Sequence, residues 1–299
     1  MNISVRTPAK INLSLLVGSR DDAGYHEVFT VFAPIDVYDG IDFSLEATEG
    51  GAPGPLAVEC DTAPGEANLA ARALRALEEL TGWALSGRVV IRKGIPIGAG
   101  LGGGSSDAAA ALLVGAQALA EAGGPVPGKV QLAELARKLG ADVAFFLDPR
   151  PAIGRGIGEL LEPLTLPELW LVLVVSDRVL STARVYRSLD AVRPTVSRTF
   201  FVHRTAQAEK RWREATDAGQ IVHLLENDLE KAAFTIVPSL AEDREALIRE
   251  GATAVLMSGS GPTLYALCGS KAEAEEFSRR VEARGYRTGV ATVLGTAAK

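Results

Sequence analysis

The chain has 299 residues, 47% hydrophobic and 23% charged, a composition that fits a folded protein with ample core in one large domain or two. Its net charge of -6, without a dense Lys/Arg block, argues against nucleic acid, because a phosphate backbone demands a basic footprint. Two cysteines without metal-ligand spacing, Cys60 and Cys268, read as buried thiols of a reducing compartment; no signal peptide is visible, and no apolar run approaches the roughly 20 residues of a membrane span, so the expectation is a cytoplasmic protein with no membrane partner.

In chain order, residues 2–18 predict two strands with a break near Pro8, and Ile11, Leu13 and Leu15 alternate with polar neighbours. The polar turn Arg20–His26 ends in two hydrogen-bonding aromatics, Tyr25 and His26. Val28–Ile35 and Ile41–Leu45 predict further strands, and Glu49–Pro55 a surface loop. Glu66–Leu80 is an amphipathic helix stopped at Gly82. The strand Arg88–Lys93 runs into Pro96–Ser106, and Asp107–Ala122 is a helix apolar almost all round, hence one expected to be buried. A second amphipathic helix carries Leu132, Leu135, Ala136 and Leu139 and ends at Gly140. A short helix, Val143–Leu147, follows, for which Asp142 taken alone reads as the N-cap. Leu169–Val175 is a buried strand, Ser181–Leu189 a short helix and Arg204–Leu240 mostly charged helix. Thr253–Met257 and Thr263–Cys268 are strands flanking Ser258–Pro262. Ser270 opens a helix with capping-box spacing to Glu273, and Tyr286–Val293 is a closing strand. The pattern is α+β, in two lobes with a boundary near residue 155: 1–155 and 156–299.

The stretch Pro96–Ser106 holds five glycines and closes with Ser105 and Ser106. Glycine lets backbone N–H groups turn toward a ligand at close range, and a helix start adds unpaired donors and a positive dipole end. Together they make a seat for phosphate. Gly98, Gly100 and Gly103 match G-x-G-x-x-G, but no acid-ended strand follows about twenty residues on, as a dinucleotide fold requires. A Walker A loop is excluded too, since Gly104-Ser105-Ser106 lacks its lysine. The plain alternative is a tight strand-to-helix turn, for which so many glycines would be entropically costly.

Three stretches together resemble the GHMP kinase superfamily: Pro8-Ala9-Lys10-Ile11-Asn12-Leu13, the Pro96–Ser106 loop with its helix, and Met257-Ser258-Gly259-Ser260-Gly261-Pro262-Thr263. Asp22-Ala23-Gly24-Tyr25-His26, the long Gly-Leu-Gly-Gly-Gly-Ser-Ser form and Leu139-Gly140-Ala141-Asp142-Val143 resemble the branch that phosphorylates a cytidine diphosphate-linked polyol in non-mevalonate isoprenoid synthesis. Ala144, where that branch usually has proline, and Pro149-Arg150-Pro151, where it has glycine, depart from the pattern. Arg193–Arg213 is its least family-like part.

The resemblance implies a two-lobed fold, with an N-terminal ATP-binding lobe, a C-terminal α/β substrate lobe and a cleft between them. It implies an ATP- and Mg²⁺-dependent small-molecule kinase, monomeric or weakly dimeric. Lys10 and Asp142 would be catalytic, Asp142 as base and Lys10 as its partner. ATP would be held by Asn68, Leu69 and Lys93 on the adenine side. Its phosphates would be held by Pro96, Gly98, Gly100, Leu101, Gly102, Gly103, Gly104, Ser105 and Ser106, completed by Gly259, Ser260, Gly261 and Thr263. Ser105 and Ser106 could cap the helix, reach a phosphate or touch Mg²⁺, and no residue is assigned as a direct metal ligand. Asn12, Tyr25, His26, Asp142, Thr182 and Arg187 would bind the substrate, Tyr25 and His26 gripping its cytosine. Without the resemblance, the Tyr25–His26 pair is a half-buried turn and Ser258–Pro262 a hairpin. Two alternatives stay open: a homoserine- or mevalonate-type kinase, and a non-catalytic nucleotide-binding protein on the same scaffold.

Overall fold

A computed structural model describes residues 1–22, 24–50, 54–193 and 195–295. Of the expected Glu49–Pro55 loop, positions 51–53 lie outside the described residues, as do position 23 of the Asp22–His26 motif and position 194 of the Arg193–Arg213 segment.

The chain opens with two long strands, β1 (Asn2–Arg20) and β2 (His26–Glu49). Both run unbroken where the sequence predicts interruptions, at Pro8 and between Ile35 and Ile41. A proline in a strand loses only one donor and keeps a backbone angle that extended structure accepts. Next come β3 (Leu56–Cys60), α1 (Leu69–Thr81) and β4 (Trp83–Arg92). Helix α1 starts later than its hydrophobic spacing suggests, because Gly65–Ala67 forms a 3₁₀ turn and the Asn68 side chain accepts from Ala70 N at 2.9 Å. Gly82, at φ 71°, ends it as expected.

Helix α2 (Gly103–Glu121) begins inside the glycine run rather than at Asp107. It is largely buried through its middle, with Leu113 and Gln117 exposed on one side and Gly104, Ala120 and Glu121 exposed toward its ends. Then follow α3 (Lys129–Leu139), α4 (Ala141–Phe146), β5 (Ala152–Arg155), β6 (Leu160–Pro163), β7 (Trp170–Val175) and α5 (Thr182–Val192). The stretch Arg204–Leu240, expected to be mostly charged helix, is mostly helical and is divided among α6 (Arg198–Glu214), α7 (Ala218–Val222), a two-residue strand β8 (Glu226–Asn227) and α8 (Glu230–Ile236). Local chemistry does the breaking: Asp217 caps α7 by accepting from Gln220 N at 2.9 Å, and β8 pairs in parallel with Ser14–Leu15 of β1. The chain closes with α9 (Ser239–Arg249), β9 (Val255–Met257), β10 (Leu264–Cys268), α10 (Lys271–Glu282) and β11 (Arg287–Thr292).

These elements form two compact units, each drawn from several stretches of chain. The first comprises Met1–Ala9, Val37–Ile95 and Gly102–Pro149; the second comprises Lys10–Asp36, Pro96–Leu101 and the chain from Arg150 onward. They are not sequential halves, because β1 and β2 each supply residues to both.

In the first unit, β4 pairs antiparallel with Gly40–Glu49 of β2 and parallel with β3. Helices α1 and α2 pack so closely that a Cβ on Gly115 would lie 2.6 Å from Leu77 and 2.8 Å from Leu74. In the second unit, a four-stranded sheet runs β11-β7-β10-β9 with every pair antiparallel. Its core joins Val172, Val174, Leu264 and Ala266 of the sheet to Val185 and Leu189 of α5 and to Phe277 and Val281 of α10. Cys268 is buried there, and burial pushes its thiol up to about 12, so it is inert at neutral pH. Cys60, expected to be buried, is partly exposed on β3. Among the described residues no helix is long and apolar enough to cross a membrane.

Candidate active site

In the second unit the two glycine stretches meet. Gly98 and Gly100 both have positive φ, and a Cβ on Gly100 would stand 2.5 Å from the Ser258 carbonyl oxygen and 2.9 Å from that of Gly261. Ser258 Oγ donates to the Gly100 carbonyl at 3.1 Å, and Thr263 N donates to that of Ala99 at 3.3 Å. Glycine at 100 is therefore required twice over, by its backbone angle and by the approach of another backbone. Ser258–Thr263 does connect antiparallel β9 and β10, as a hairpin would. Yet the loop is held from outside its own strands: the Asn227 amide donates to the Met257 carbonyl at 2.7 Å and to that of Gly259 at 2.8 Å.

Against this loop lies a buried polar chain. Lys10 Nζ, on a side chain almost wholly buried, donates to Asn12 Oδ1 at 2.8 Å. Asn12 Nδ2 donates to Thr30 Oγ1 at 2.8 Å, and the Thr30 hydroxyl donates in turn to the Ser14 carbonyl at 2.7 Å. The Tyr265 hydroxyl holds the Asn12 carbonyl at 2.9 Å, and burial raises its phenol well above the ordinary range. A Cβ on Gly259 would come within 3.2 Å of Asn12 Oδ1 and 3.4 Å of Lys10 Nζ, so the loop's backbone lies directly on this pair. The strand period places Lys10, Asn12 and Ser14 on one face of β1. A lysine ammonium beside a neutral amide, directly under the backbone of this loop, is equipped to receive anionic oxygen.

Of the other substrate-side positions, Tyr25, His26, Thr182 and Arg187 are also in this unit, whereas Asp142 is in the first. Tyr25 is 60% exposed, which leaves its ring available for stacking, whereas His26 beside it is only 8% exposed. Thr182 Oγ1 lies 2.9 Å from Ser260 Oγ, so α5 touches the second glycine loop at its first residue. Arg187 is exposed and folds back onto the Ala183 carbonyl of its own helix at 3.3 Å.

In the first unit, Gly102 caps α2 with φ 75°, and Gly103–Ser106 form the helix's first turn. Ser105 is partly exposed; Ser106 Oγ is buried and, among the described residues, has no hydrogen-bond partner, so it is not used for capping. The Asn68 amide is occupied at both ends, capping α1 and donating to the Ala63 carbonyl at 2.8 Å; Leu69 is half-buried beside it. Lys93 is drawn into a buried ion cluster, donating to Asp39 and, at 2.9 Å, to Asp107 Oδ2. Asp39 Oδ1 in turn accepts from Gly94 N at 2.7 Å and Ile95 N at 2.8 Å, at the entrance to the glycine loop. Asp142 is not the N-cap of α4: the helix starts at Ala141 after Gly140, and Asp142 lies half-buried in its first turn. A carboxylate there gains from the helix dipole.

Sequence reasoning missed Thr30, Asn227, Tyr265, Asp39 and Asp107. Their partners are remote in sequence, so spacing held no signal for them, although Asn227 interrupts a charged helical pattern with a residue suited to backbone contacts.

Residues 68–148 match the family description "GHMP kinases N terminal domain" and residues 210–287 match "GHMP kinases C terminal". The 4-diphosphocytidyl-2-C-methyl-D-erythritol kinase of Chlorobaculum tepidum is 39% identical over 290 residues, covering 95% of each chain. A crystal structure of 4-(cytidine 5'-diphospho)-2C-methyl-D-erythritol kinase superposes with a TM-score of 0.72 at 34% identity, covering 97% of this chain and 99% of that one. A homoserine kinase from Cytophaga hutchinsonii shares the fold, with a TM-score of 0.69 over 98% of this chain and 94% of its own, but only 18% identity. By full-length identity as well as by fold, this chain belongs to the GHMP kinase family of small-molecule kinases.

Proposed function

We propose that the chain transfers the γ-phosphoryl group of ATP to the 2-hydroxyl of 4-diphosphocytidyl-2-C-methyl-D-erythritol. The observation that carries this reading is the second unit's arrangement of Gly259 on Lys10 and Asn12, with Gly100 against the same loop. Phosphoryl transfer asks for a held triphosphate, neutralisation of its charge and a base for the attacking alcohol. In this reading the N–H groups of the Gly98–Ser106 and Gly259–Gly261 stretches hold the phosphates. Lys10, oriented by Asn12, supplies positive charge to oxygen. Asp142 accepts the proton of the 2-hydroxyl, and Tyr25 and His26 grip the cytosine.

Mg²⁺ suits the same scheme. It is a hard cation that keeps phosphate oxygens and waters as ligands, and the partnerless Ser106 hydroxyl is an oxygen donor of the right kind. It would contribute charge neutralisation on the triphosphate. We assign residues 1–155 chiefly to ATP and 156–299 chiefly to closing the site, in a cytoplasmic enzyme that works as a monomer or weak dimer.

The test is ADP release by the purified protein with the cytidyl substrate, mevalonate and homoserine in parallel, with phosphorus NMR locating the new phosphate. Turnover confined to the cytidyl substrate, at the 2-hydroxyl, is the expected result. Efficient use of mevalonate or homoserine with none of the cytidyl compound would overturn the substrate, and ATP binding without transfer to any of the three would overturn the kinase.

A further inference from the structure

The second glycine loop turns on a single peptide. Gly261 N donates to the Ser258 carbonyl at 2.9 Å, so Ser258–Gly261 is a β-turn with Gly259 and Ser260 at its centre. Gly259 has φ 57° and Ser260 has no positive φ, the pattern of a type II′ turn. Types I′ and II′ differ chiefly in the direction of the central peptide, so the Gly259–Ser260 unit has two orientations open to it. The bond is planar and trans, so its carbonyl and its N–H point opposite ways and turn over together.

Asn227 holds one of the two orientations. Its Nδ2 donates to the Gly259 carbonyl at 2.8 Å and to the Met257 carbonyl at 2.7 Å, while its Oδ1 accepts from Leu229 N at 2.9 Å. Two acceptors at one end and a donor at the other leave the amide only one way round. Glu230, the first residue of α8, completes the clip: its Oε1 accepts from Met257 N at 2.9 Å. Strand β9 is the edge of its sheet, and these two side chains stand where a neighbouring strand would pair with Met257. Burial raises the Glu230 carboxyl above the usual carboxylate range, opposed by the Met257 N–H and by Arg244, whose Nε faces it at 3.9 Å. The clip is itself seated on β1. Asp228 N donates to the Leu15 carbonyl at 2.9 Å, and the Asp228 carboxylate accepts from Val17 N at 2.8 Å and from Arg204 through both of its oxygens. One strand thus carries Lys10 and Asn12 and, through β8, the peptide that lies over them.

We propose that Asn227 and Glu230 are positioning residues for phosphoryl transfer: they hold the Gly259–Ser260 peptide with its carbonyl on Asn227 and its N–H presented to a phosphate oxygen of ATP. The inference rests on the reading of this loop as a phosphate seat and deepens it. A backbone donor helps the reaction only if it already points where charge develops, since turning it during the reaction would cost what the bond returns. Turned over, the same peptide would set a carbonyl oxygen against the phosphate. Asn227 opposes that state, because its Nδ2 would lose the Gly259 acceptor. Glu230 acts one step back, by fixing Met257, from which the turn departs.

The test is steady-state kinetics of the full-length protein with ATP and the cytidyl substrate varied in turn, on Asn227→Asp, Glu230→Gln and Glu230→Leu, with thermal melts to confirm folding. Asn227→Asp keeps the shape and the acceptor for Leu229 N but loses both donors. It is expected to lower kcat about 10-fold and to raise KM for ATP several-fold, with KM for the cytidyl substrate unchanged. Glu230→Gln keeps an acceptor for Met257 N without the charge and should stay within about twofold of wild type on every constant. Glu230→Leu removes the acceptor and should show the Asn227→Asp signature in weaker form; the two Glu230 variants carry the test if Asn227→Asp does not fold. Unchanged ATP constants in the folded variants, an equal rise in KM for both substrates, or equal losses in Glu230→Gln and Glu230→Leu would overturn the inference and leave the kinase reading intact. Failure of the wild-type protein to transfer phosphate from ATP would strike the functional proposal, and this inference with it.

Discussion

Lys93 Nζ donates to Asp107 Oδ2 at 2.9 Å while also holding Asp39, so one ammonium serves two buried carboxylates. Asp107 is in the second turn of α2, and its other oxygen accepts from the Thr7 hydroxyl at 2.8 Å. Asp39 grips the backbone at Gly94 and Ile95, just ahead of the glycine run. The cluster therefore pins the chain on both sides of the loop. Burial works against the Lys93 charge, but Asp107 and Asp39 outweigh it and raise the ammonium above its ordinary value.

Lys93→Met would strand two buried negative charges, a change that typically costs about 3–5 kcal/mol. Asp107→Asn would leave a one-to-one Lys93–Asp39 pair and keep an acceptor for Thr7, so its cost should stay within about 1 kcal/mol. Urea unfolding of the two variants checks the asymmetry; equal losses would show that the cluster is not balanced by charge.

The same cluster sets a pH dependence. Burial, opposed by Lys93 and reinforced by Asp39, pushes the Asp107 carboxyl above the usual carboxylate range. The folded protein then binds more protons than the unfolded chain, so this group's contribution is fully present below the ordinary aspartate value of about 3.9 and is lost as pH rises through the raised folded value. Asp107→Asn lacks this loss. Its stability relative to wild type should therefore climb with pH through the carboxylate range and then level off, as read from urea midpoints between about pH 3 and 7.

How much of this was legible beforehand follows from how local each feature is. The glycine loop, the Gly82 stop, the Ser270 cap and the one-face spacing of Lys10 and Asn12 are written in adjacent residues, and all are present. The Asn68 cap and the early start of α2 depend on backbone angles that periodicity cannot report. The Lys93 cluster, the Asn227 brace and the Tyr265 contact join residues far apart in sequence. There, tertiary hydrogen bonds outweigh local preference, and the strand at Glu226–Asn227 replaces predicted helix for that reason.

The glycines at 98 and 100 should answer differently to alanine. Both have positive φ, which costs a side chain roughly 1–2 kcal/mol. A Cβ at 98 would meet no atom within 4 Å, whereas one at 100 would strike the Ser258 and Gly261 carbonyls. Gly98→Ala should therefore lose only that conformational cost, while raising KM for ATP if the loop seats phosphate. Gly100→Ala should lose more stability and several-fold more kcat/KM, because the second glycine loop must move. Thermal melts and ATP titrations on both variants give the comparison, and equal behaviour would deny the contact between the two loops a role.

Asp142→Asn separates chemistry from architecture. Asparagine is isosteric and is tolerated in a helix's first turn, so α4 should persist and the unfolding free energy from urea titration should change by no more than about 1 kcal/mol. An amide cannot accept the proton of the attacking hydroxyl. A positioned base contributes about 10²–10⁴-fold, so kcat should fall by that factor while KM for ATP changes little. Lys10→Met should also cut kcat, but it removes the donor to Asn12 Oδ1 and so should disturb binding of the polyol as well. Single-turnover measurements with both variants distinguish a slowed chemical step from slowed release. A folded Asp142→Asn protein that turned over at the wild-type rate would strip Asp142 of its role as base and shift the search to a different proton acceptor.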